Sequence, residues 1–444
     1  MGNTCYFGST IQNLVQTFLL TEELYLSLSK QLHLDIELPL TKAYLGFLSR
    51  GYEANCDQTF QLVFNEFCKK SSRFADRGQH NSHDLFVYFM NCLRDEERRR
   101  RGSVNSTGFL NELTVVDKVF GGHTITVYVC TSCKTPYHVC ESFLDISIPI
   151  LGPVDGGEDE NEDLFNNNLH VSERQSIQYA VDRADAMRQA VEYTMRPLGD
   201  RSLLQKRSPM LESLGEISLE QCLLYYSKIG QIHNEYLCSR CDAEGRPPMT
   251  SALKRTLIYN PPAVLVLHLK RFKQTTVEFK KCNQHVTYDE YLDIGPYCSS
   301  NSLRNSEPND VNVWYSLYGV VVHKGSLTSG RYVSYIKVRD CDTRQTKQFM
   351  QQFFLNRDQV LNCDDDITRR NASRLIQTHR KEWKPPEVKG QWFLADDEYI
   401  KAVDKTEALS QAAYLLFYER VAKSRHQYLE NTLLQVLLND IDVD

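Results

Sequence analysis

The sequence contains no apolar run long enough to cross a bilayer as a helix, which excludes an ordinary transmembrane span. No secretory signal precedes its first motif. It has no excess of positive charge either. Its 51 basic and 57 acidic residues give a formal net charge of −6, so no nucleic-acid-type field surrounds the molecule. The run Arg98–Arg101 follows Glu96 and Glu97, and this mixed cluster reads as a solvated helix end. There is no internal repeat, so a solenoid of stacked units is not expected. Cysteine, by contrast, is plentiful. Fourteen cysteines without a signal peptide point to a reducing compartment, cytoplasm or nucleus, where they act as metal ligands or nucleophiles rather than disulfides. The 444 residues, 41% hydrophobic and 24% charged, support one large domain or two to three sub-domains.

The first motif is Gly2-Asn3-Thr4-Cys5-Tyr6-Phe7-Gly8. It delivers Cys5 to the start of an apolar-periodic helix marked by Ile11, Leu14, Val15 and Phe18. A thiol there meets the positive end of the helix dipole and its unpaired N–H groups, which favour the nucleophilic thiolate. A packed or free cysteine near a chain end gives the same short pattern. Met1 stands almost on the motif, so either a longer natural N-terminus precedes it or the gene begins there.

Residues 1 to about 115 read as helical, with apolar faces at Phe60, Val63, Phe64 and Phe67 and at Leu85, Phe86, Tyr88, Phe89 and Leu93. The polar loop Gln79–Asp84 runs into a helix start. Residues 117–150 turn β-like, through Val119, Ile125, Val127 and Val129, then Phe143 to Ile150. The acidic stretch 154–168 lacks core formers and reads as a disordered insertion, and 170–210 as polar and partly helical. From about 250 the chain is β-rich: Ala263–Leu269, Tyr315–Val322, Tyr332–Ile336, Trp392–Leu394 and Ala413–Tyr418 read as strands. Residues 421–444 read as a helical tail. His268, on an apolar strand, reads as a satisfied core histidine, and Cys140 and Cys222 as core cysteines.

Two constellations carry chemistry. Cys130-Thr131-Ser132-Cys133 and Cys238-Ser239-Arg240-Cys241 are two C-x-x-C knuckles, each following strand-like sequence. Two such pairs complete a tetrahedral zinc shell, and four thiolates leave no open position, so the zinc is structural. The separation fits two hairpin tips meeting across an insertion. The second constellation is nucleophilic: Cys5 needs a base, and the base an orienting group. Candidates lie far downstream, in His323-Lys324-Gly325, Ser329–Tyr335 and Trp392–Asp397.

Gly2–Tyr6 with Gln12 resembles the cysteine box of the ubiquitin-specific proteases. Gln79–Leu85 is similar to their second box, and Pro262–Phe272, with His268-Leu269-Lys270-Arg271-Phe272, to another signature. Tyr318–Tyr335, Trp392–Asp397 and Tyr414–Tyr418 resemble the last ones, in the same order, over about residues 2–420. Glu141–Pro149 also resembles a branch of the family associated with histone ubiquitin. The resemblance implies an α+β, papain-like hand. Its parts would be a helical thumb (1–115), zinc-tipped fingers (about 120–145 and 215–255), a β-rich palm (256–420), a partly disordered insertion (152–210) and the tail. It implies ubiquitin or ubiquitinated proteins as partners, with no direct nucleic-acid or membrane partner. Cys5 would attack the carbonyl after ubiquitin's Gly-Gly tail and give a thioester that water hydrolyses. Asp396 matches the third triad position and Asp397 its acidic neighbour. Gln12, Gln79, Asn81, Asp84 and His323 fall where the family binds substrate.

The match departs at the base. The family's histidine lies in a Gly-His-Tyr step, and this chain reads Gly330-Arg331-Tyr332. Arginine stays protonated and cannot act as a general base, and losing that catalysis costs ~10²–10⁴-fold. Arg331 could hold Cys5 as thiolate by charge, or pair with Asp396. His323, on the strand entering the same turn, is the other histidine to weigh as base. The family's oxyanion asparagine, a few residues ahead of the cysteine, has no counterpart among Met1–Thr4, and such a donor is worth ~10²–10³-fold. Gly8 stands where the family usually has asparagine, and Asn81 replaces an aspartate that pairs with ubiquitin's basic tail. Two expectations follow: a thiol isopeptidase with impaired turnover, or an inactive ubiquitin-binding scaffold of the same fold. A zinc-dependent hydrolase is excluded by the closed cysteine shell.

Overall fold

The computed structural model describes residues 4–29, 38–50, 56–76, 78–103, 113–151, 217–274, 279–299, 313–326, 329–339, 387–397 and 399–421. The insertion expected at 152–210 lies outside them, as does all of the expected tail beyond Val421.

The first layer is helical: α1 (Cys5–Val15), α2 (Phe18–Ser29), α3 (Pro39–Arg50), α4 (Cys56–Lys70), a 3₁₀ turn (Ser72–Phe74), α5 (Ser82–Ser103) and α6 (Val115–Val119). The buried faces include Val63, Phe64 and Phe67 on α4 and Leu85, Phe86, Phe89, Met90 and Leu93 on α5, whereas Tyr88, expected on that face, is exposed and packs edge-on against Phe74. Two further expectations are corrected here. Val119 ends a helix rather than opening a strand, because Thr114 and Asp117 form a capping box that starts α6. Glu96 and Glu97 are buried rather than solvated. Glu96 accepts the Leu40 and Thr41 N–H groups at 2.9 Å each and pairs with Lys70, while Glu97 accepts the Val115 N–H at 2.7 Å. Both carboxylates thus satisfy orphan donors at the starts of α3 and α6.

The strands form two main sheets. In chain order they are β1 (Gly122–Cys130), β2 (Pro136–Phe143), β3 (Ile146–Ile148) and β4 (Ile217–Ser218), then, after helix α7 (Leu219–Tyr226), β5 (Gly230–Leu237). Helix α8 (Ser239–Ala243) leads to β6 (Met249–Asn260), β7 (Val264–Leu269), β8 (Phe272–Gln274), β9 (Phe279–Lys281), β10 (Val286–Thr287) and β11 (Tyr291–Asp293). The chain ends in β12 (Trp314–Gly325), β13 (Gly330–Arg339), β14 (Gly390–Asp396), β15 (Tyr399–Val403), helix α9 (Lys405–Leu409) and β16 (Ala413–Arg420). The smaller sheet, β2-β1-β6-β5, is antiparallel, with Thr126 opposite Val139 and Thr256. Cys140 is exposed on its edge strand β2, not in a core, whereas Cys222 is buried on α7. The larger sheet runs β15-β14-β13-β12-β16-β7-β3, with β11 paired to β12.

Strand β7 is covered on both faces, which explains its unbroken apolar run. Val264 and Val266 join the core under the helices, and Leu265 and Leu267 the core on the opposite face. Helix α1 lies against β12 at Gly319, where a Cβ would overlap the Asn13 side chain. His268 is satisfied by Ser147, Oγ to Nδ1 2.8 Å.

Candidate active site and metal centre

Cys5 opens α1, with Thr4 as the capping residue whose carbonyl accepts the Phe7 and Gly8 N–H groups at 3.0 and 2.9 Å. Apolar residues on either side fix it. Phe7 is buried among Phe60, Phe64, Phe67 and Phe89, and Tyr6 packs on Phe74. Thr10 Oγ1 reaches the Ser82 carbonyl at 3.3 Å, tying α1 to the start of α5. Half-buried Cys5 faces a cleft of ≈ 250 Å³ lined by Cys5, Tyr6, Gln79, His80, Asn81, Phe272, His323, Gly330 and Tyr332. The N-terminal motif, the polar loop before α5 and the β12–β13 hairpin therefore meet, although more than 300 residues separate the first from the last.

The hairpin's register pairs Lys324 with Arg331 and Gly325 with Gly330. Gly330 and Tyr332 line the cleft, and Arg331, between them, is not among its lining residues. Arg331 Nη2 lies 2.7 Å from Asp396 Oδ2 on β14. Gly330 has to lack a side chain, since a Cβ would run into the His323 imidazole. His323 is held edge-on by Phe272 (5.1 Å) and Tyr332 (4.8 Å). Burial, then the nearby Lys281 charge, pushes its pKa down to about 4, so the ring is neutral at neutral pH.

Gln79 and Asn81 line the cleft. Asn81 Oδ1 accepts the Tyr414 hydroxyl and the His83 N–H, both at 2.8 Å, which caps α5 and anchors it to the larger sheet. Asp84 sits in the first turn of α5 and is already paired with Arg73 at 2.6 Å. Gln12 is half-buried on α1 and is not among the cleft's lining residues. Asp397 is exposed just past β14, in a left-handed conformation (φ 53°) that turns the chain into β15.

Sequence reasoning missed two groups. His80 Nε2 lies 2.6 Å from Asp76 Oδ1 at the rim of the cleft. His83 Nε2 lies 2.7 Å from Asp145 Oδ2, and its ring stacks on His268 with centroids 3.8 Å apart. Burial first, then the neighbouring His83 and Lys270, push the His268 pKa down to about 2, so that ring too is neutral. The only signal in the sequence was three histidines in or beside the motifs, and spacing alone does not pair them.

At the far end of the smaller sheet, Cys130 closes β1, Cys133 lies in the turn to β2, and Cys238 and Cys241 flank the start of α8. Their sulfurs all lie within 4.8 Å of one another, with Cys130–Cys241 at 3.8 Å and Cys133–Cys238 at 3.5 Å. Four sulfurs at ~2.3 Å from one zinc would stand ~3.8 Å apart, so this donor set fits the ion. Without a cation the thiols do not ionise alike. Burial raises Cys130, but hydrogen bonds from Thr250 and the Cys133 and Ser132 backbone outweigh it and bring it to about 6. Burial, with the neighbouring sulfurs, pushes Cys241 up to about 11.

Residues 1–418 match the family model for ubiquitin carboxyl-terminal hydrolase. Ubiquitin carboxyl-terminal hydrolase 16 of Mus musculus is 23% identical, over 95% of this chain and 76% of that protein. Ubiquitin carboxyl-terminal hydrolase 45 of Homo sapiens is 22% identical over the same shares. Among solved structures, the SAGA Ubp8/Sgf11/Sus1/Sgf73 DUB module bound to ubiquitin aldehyde superposes with a TM-score of 0.60 at 18% identity, over 96% of this chain and 69% of that one. A variant of the same module bound to monoubiquitin gives 0.59 at 18% identity, over 96% and 68%. The likeness carries the α+β hand: thumb helices, a palm sheet, and a finger sheet tipped by four cysteines. No described helix is long and apolar enough to cross a membrane. This chain belongs to the ubiquitin carboxyl-terminal hydrolase family, with the fold of the ubiquitin-specific proteases.

Proposed function

We propose that the chain is a cysteine-type deubiquitinase acting on the bond that follows ubiquitin's C-terminal Gly-Gly, with Cys5 as the nucleophile. The observation that carries this is the shared cleft: Cys5, at a helix N-terminus, faces the same cavity as Gln79, Asn81, His323 and the Gly330–Tyr332 hairpin. The cleft would take the extended ubiquitin tail, with Gln12, Gln79, Asn81, Asp84, His323 and Asp397 as the substrate-side residues. The fingers would hold ubiquitin's globular body. A zinc ion on Cys130, Cys133, Cys238 and Cys241 would cross-link the two finger hairpins and take no part in bond cleavage. The related module's complexes with ubiquitin and ubiquitin aldehyde support the partner. Its likeness, with the Glu141–Pro149 stretch, favours the branch associated with histone ubiquitin, and a cytoplasmic or nuclear place of action follows.

Turnover should be slow. Arg331 fills the family's histidine position and is paired with Asp396, so this pair moves no proton. The same pair favours a second reading, a ubiquitin-binding scaffold without turnover. Labelling of Cys5 by ubiquitin carrying a C-terminal electrophile tests docking and thiol reactivity together. A fluorogenic ubiquitin amide then separates the readings: slow hydrolysis abolished by Cys5→Ser supports the enzyme. Labelling without hydrolysis supports the scaffold, and no labelling removes both.

A further inference from the structure

We propose that His80, oriented by Asp76, is the proton acceptor and donor for Cys5. This rests on the thiol-hydrolase reading above and assigns the base that the Arg331 position lacks.

His80 and Cys5 line the same cleft. Only about a tenth of the His80 side chain is exposed. Its ring is wedged against Tyr6, the residue after the nucleophile, at 5.2 Å and against Phe74 at 4.8 Å. Such packing fixes the plane of the imidazole beside the start of α1. Nε2 lies 2.6 Å from Asp76 Oδ1, and the Gly78 N–H donates to that same oxygen at 2.8 Å. The Gly78 hydrogen bond first, then the one from His80, holds Asp76 below the usual carboxylate range, so it stays charged. An ionised acceptor on Nε2 selects the tautomer with the proton there and leaves Nδ1 as the free base. His323, the other histidine lining the cleft, packs edge-on with Phe272 and Tyr332 and has Lys281 nearby, and Asp76 is not its partner but that of His80. Arg331 stays protonated and pairs with Asp396. Of these three side chains, His80 is therefore the one that combines a titratable ring with an orienting acid.

Every proton has a place to go. His80 Nδ1 takes the Cys5 thiol proton, directly or through one water, and Asp76 stabilises the imidazolium. The thiolate forms a C–S bond to the carbonyl carbon of ubiquitin's last glycine. The tetrahedral intermediate collapses with loss of the C–N bond, and the imidazolium gives its proton to the departing amine. Water then attacks the thioester carbon, His80 takes one of its protons and gives it to the Cys5 sulfur as the C–S bond breaks, and ubiquitin leaves as a carboxylic acid that releases the other proton to solvent.

The test uses the full chain with two readouts. One is kcat and KM on a fluorogenic ubiquitin amide. The other is alkylation of Cys5 by iodoacetamide at pH 7, followed by peptide mass spectrometry, which needs no ubiquitin. His80→Gln should lower kcat by about 10²-fold with KM unchanged, and should slow Cys5 alkylation. Asp76→Asn, which leaves the imidazole in place, should lower kcat by a smaller factor, again with KM unchanged. Zinc content and the far-ultraviolet spectrum of both variants should match the wild type. Wild-type kcat and alkylation in the folded His80→Gln variant would overturn the proposal. So would loss of both in His323→Gln but not in His80→Gln. If the wild type ignores ubiquitin yet His80→Gln still slows alkylation, the dyad stands and the substrate assignment fails.

Discussion

The Arg331 guanidinium reaches across from β13 to the Asp396 carboxylate at the end of β14, Nη2 to Oδ2 2.7 Å. The arginine side chain is 58% exposed and the aspartate only 14%. The other Asp396 oxygen, Oδ1, is buried and accepts no hydrogen bond among the described residues. A buried carboxylate oxygen without a donor is costly, and a carboxylate at this point suits an imidazole N–H. On the proposed reading, Asp396 stands at the acceptor position of a Cys-His-Asp system and Arg331 at the position of its histidine.

Arg331→His should therefore raise turnover. General acid–base catalysis is worth ~10²–10⁴-fold, and partial recovery of roughly 10²-fold in kcat is expected on a fluorogenic ubiquitin amide. A wild type that is already fast and unaffected by the substitution would show that this position does not limit the reaction.

Breaking the four-cysteine cluster should loosen the fingers first. Cys130→Ser or Cys241→Ser should lose one zinc per chain by elemental analysis. Both should lower the thermal midpoint, because the four sulfurs join hairpins more than 100 residues apart. Labelling of Cys5 by small electrophiles should survive, since the finger sheet stands apart from the cleft's lining residues.

Gly319→Val should destabilise the contact between α1 and the palm. A Cβ there already overlaps the buried Asn13 side chain, and overpacking typically costs about 1–3 kcal/mol. Urea denaturation should show a lower midpoint, and ubiquitin-probe labelling of Cys5 should fall as the helix shifts.

Stability should fall as the medium turns acidic. His268 is held neutral in the fold by burial and its neighbours His83 and Lys270, with its pKa pushed down to about 2, and His323 is pushed down to about 4. The unfolded chain takes up these protons near pH 6.5, before the fold does. Their contribution is complete above that pH and drains away as pH drops through 6.5 and below. Denaturant titrations between pH 6.5 and 5 should show this slope. His268→Gln should flatten it by about one proton, or about 1.4 kcal/mol per pH unit at most.

The sequence by itself determined the helical start, a cysteine at a helix N-terminus, the two cysteine knuckles and the β-rich second half. These are local matters: spacing sets which face is apolar, and C-x-x-C sets two sulfurs on one turn. It also determined that position 331 carries a permanent charge. Tertiary structure alone decided what meets what. It turned Glu96 and Glu97 inward to cap two helices and left Cys140 on an exposed edge. It also gave Asp84 to Arg73 and set His80 on Asp76 beside Cys5. A side chain's partner across a cleft depends on register, crossing and burial, which short-range patterns do not contain. The same imidazole reads as core, ligand or base until the neighbours that stabilise or expel its proton are in place.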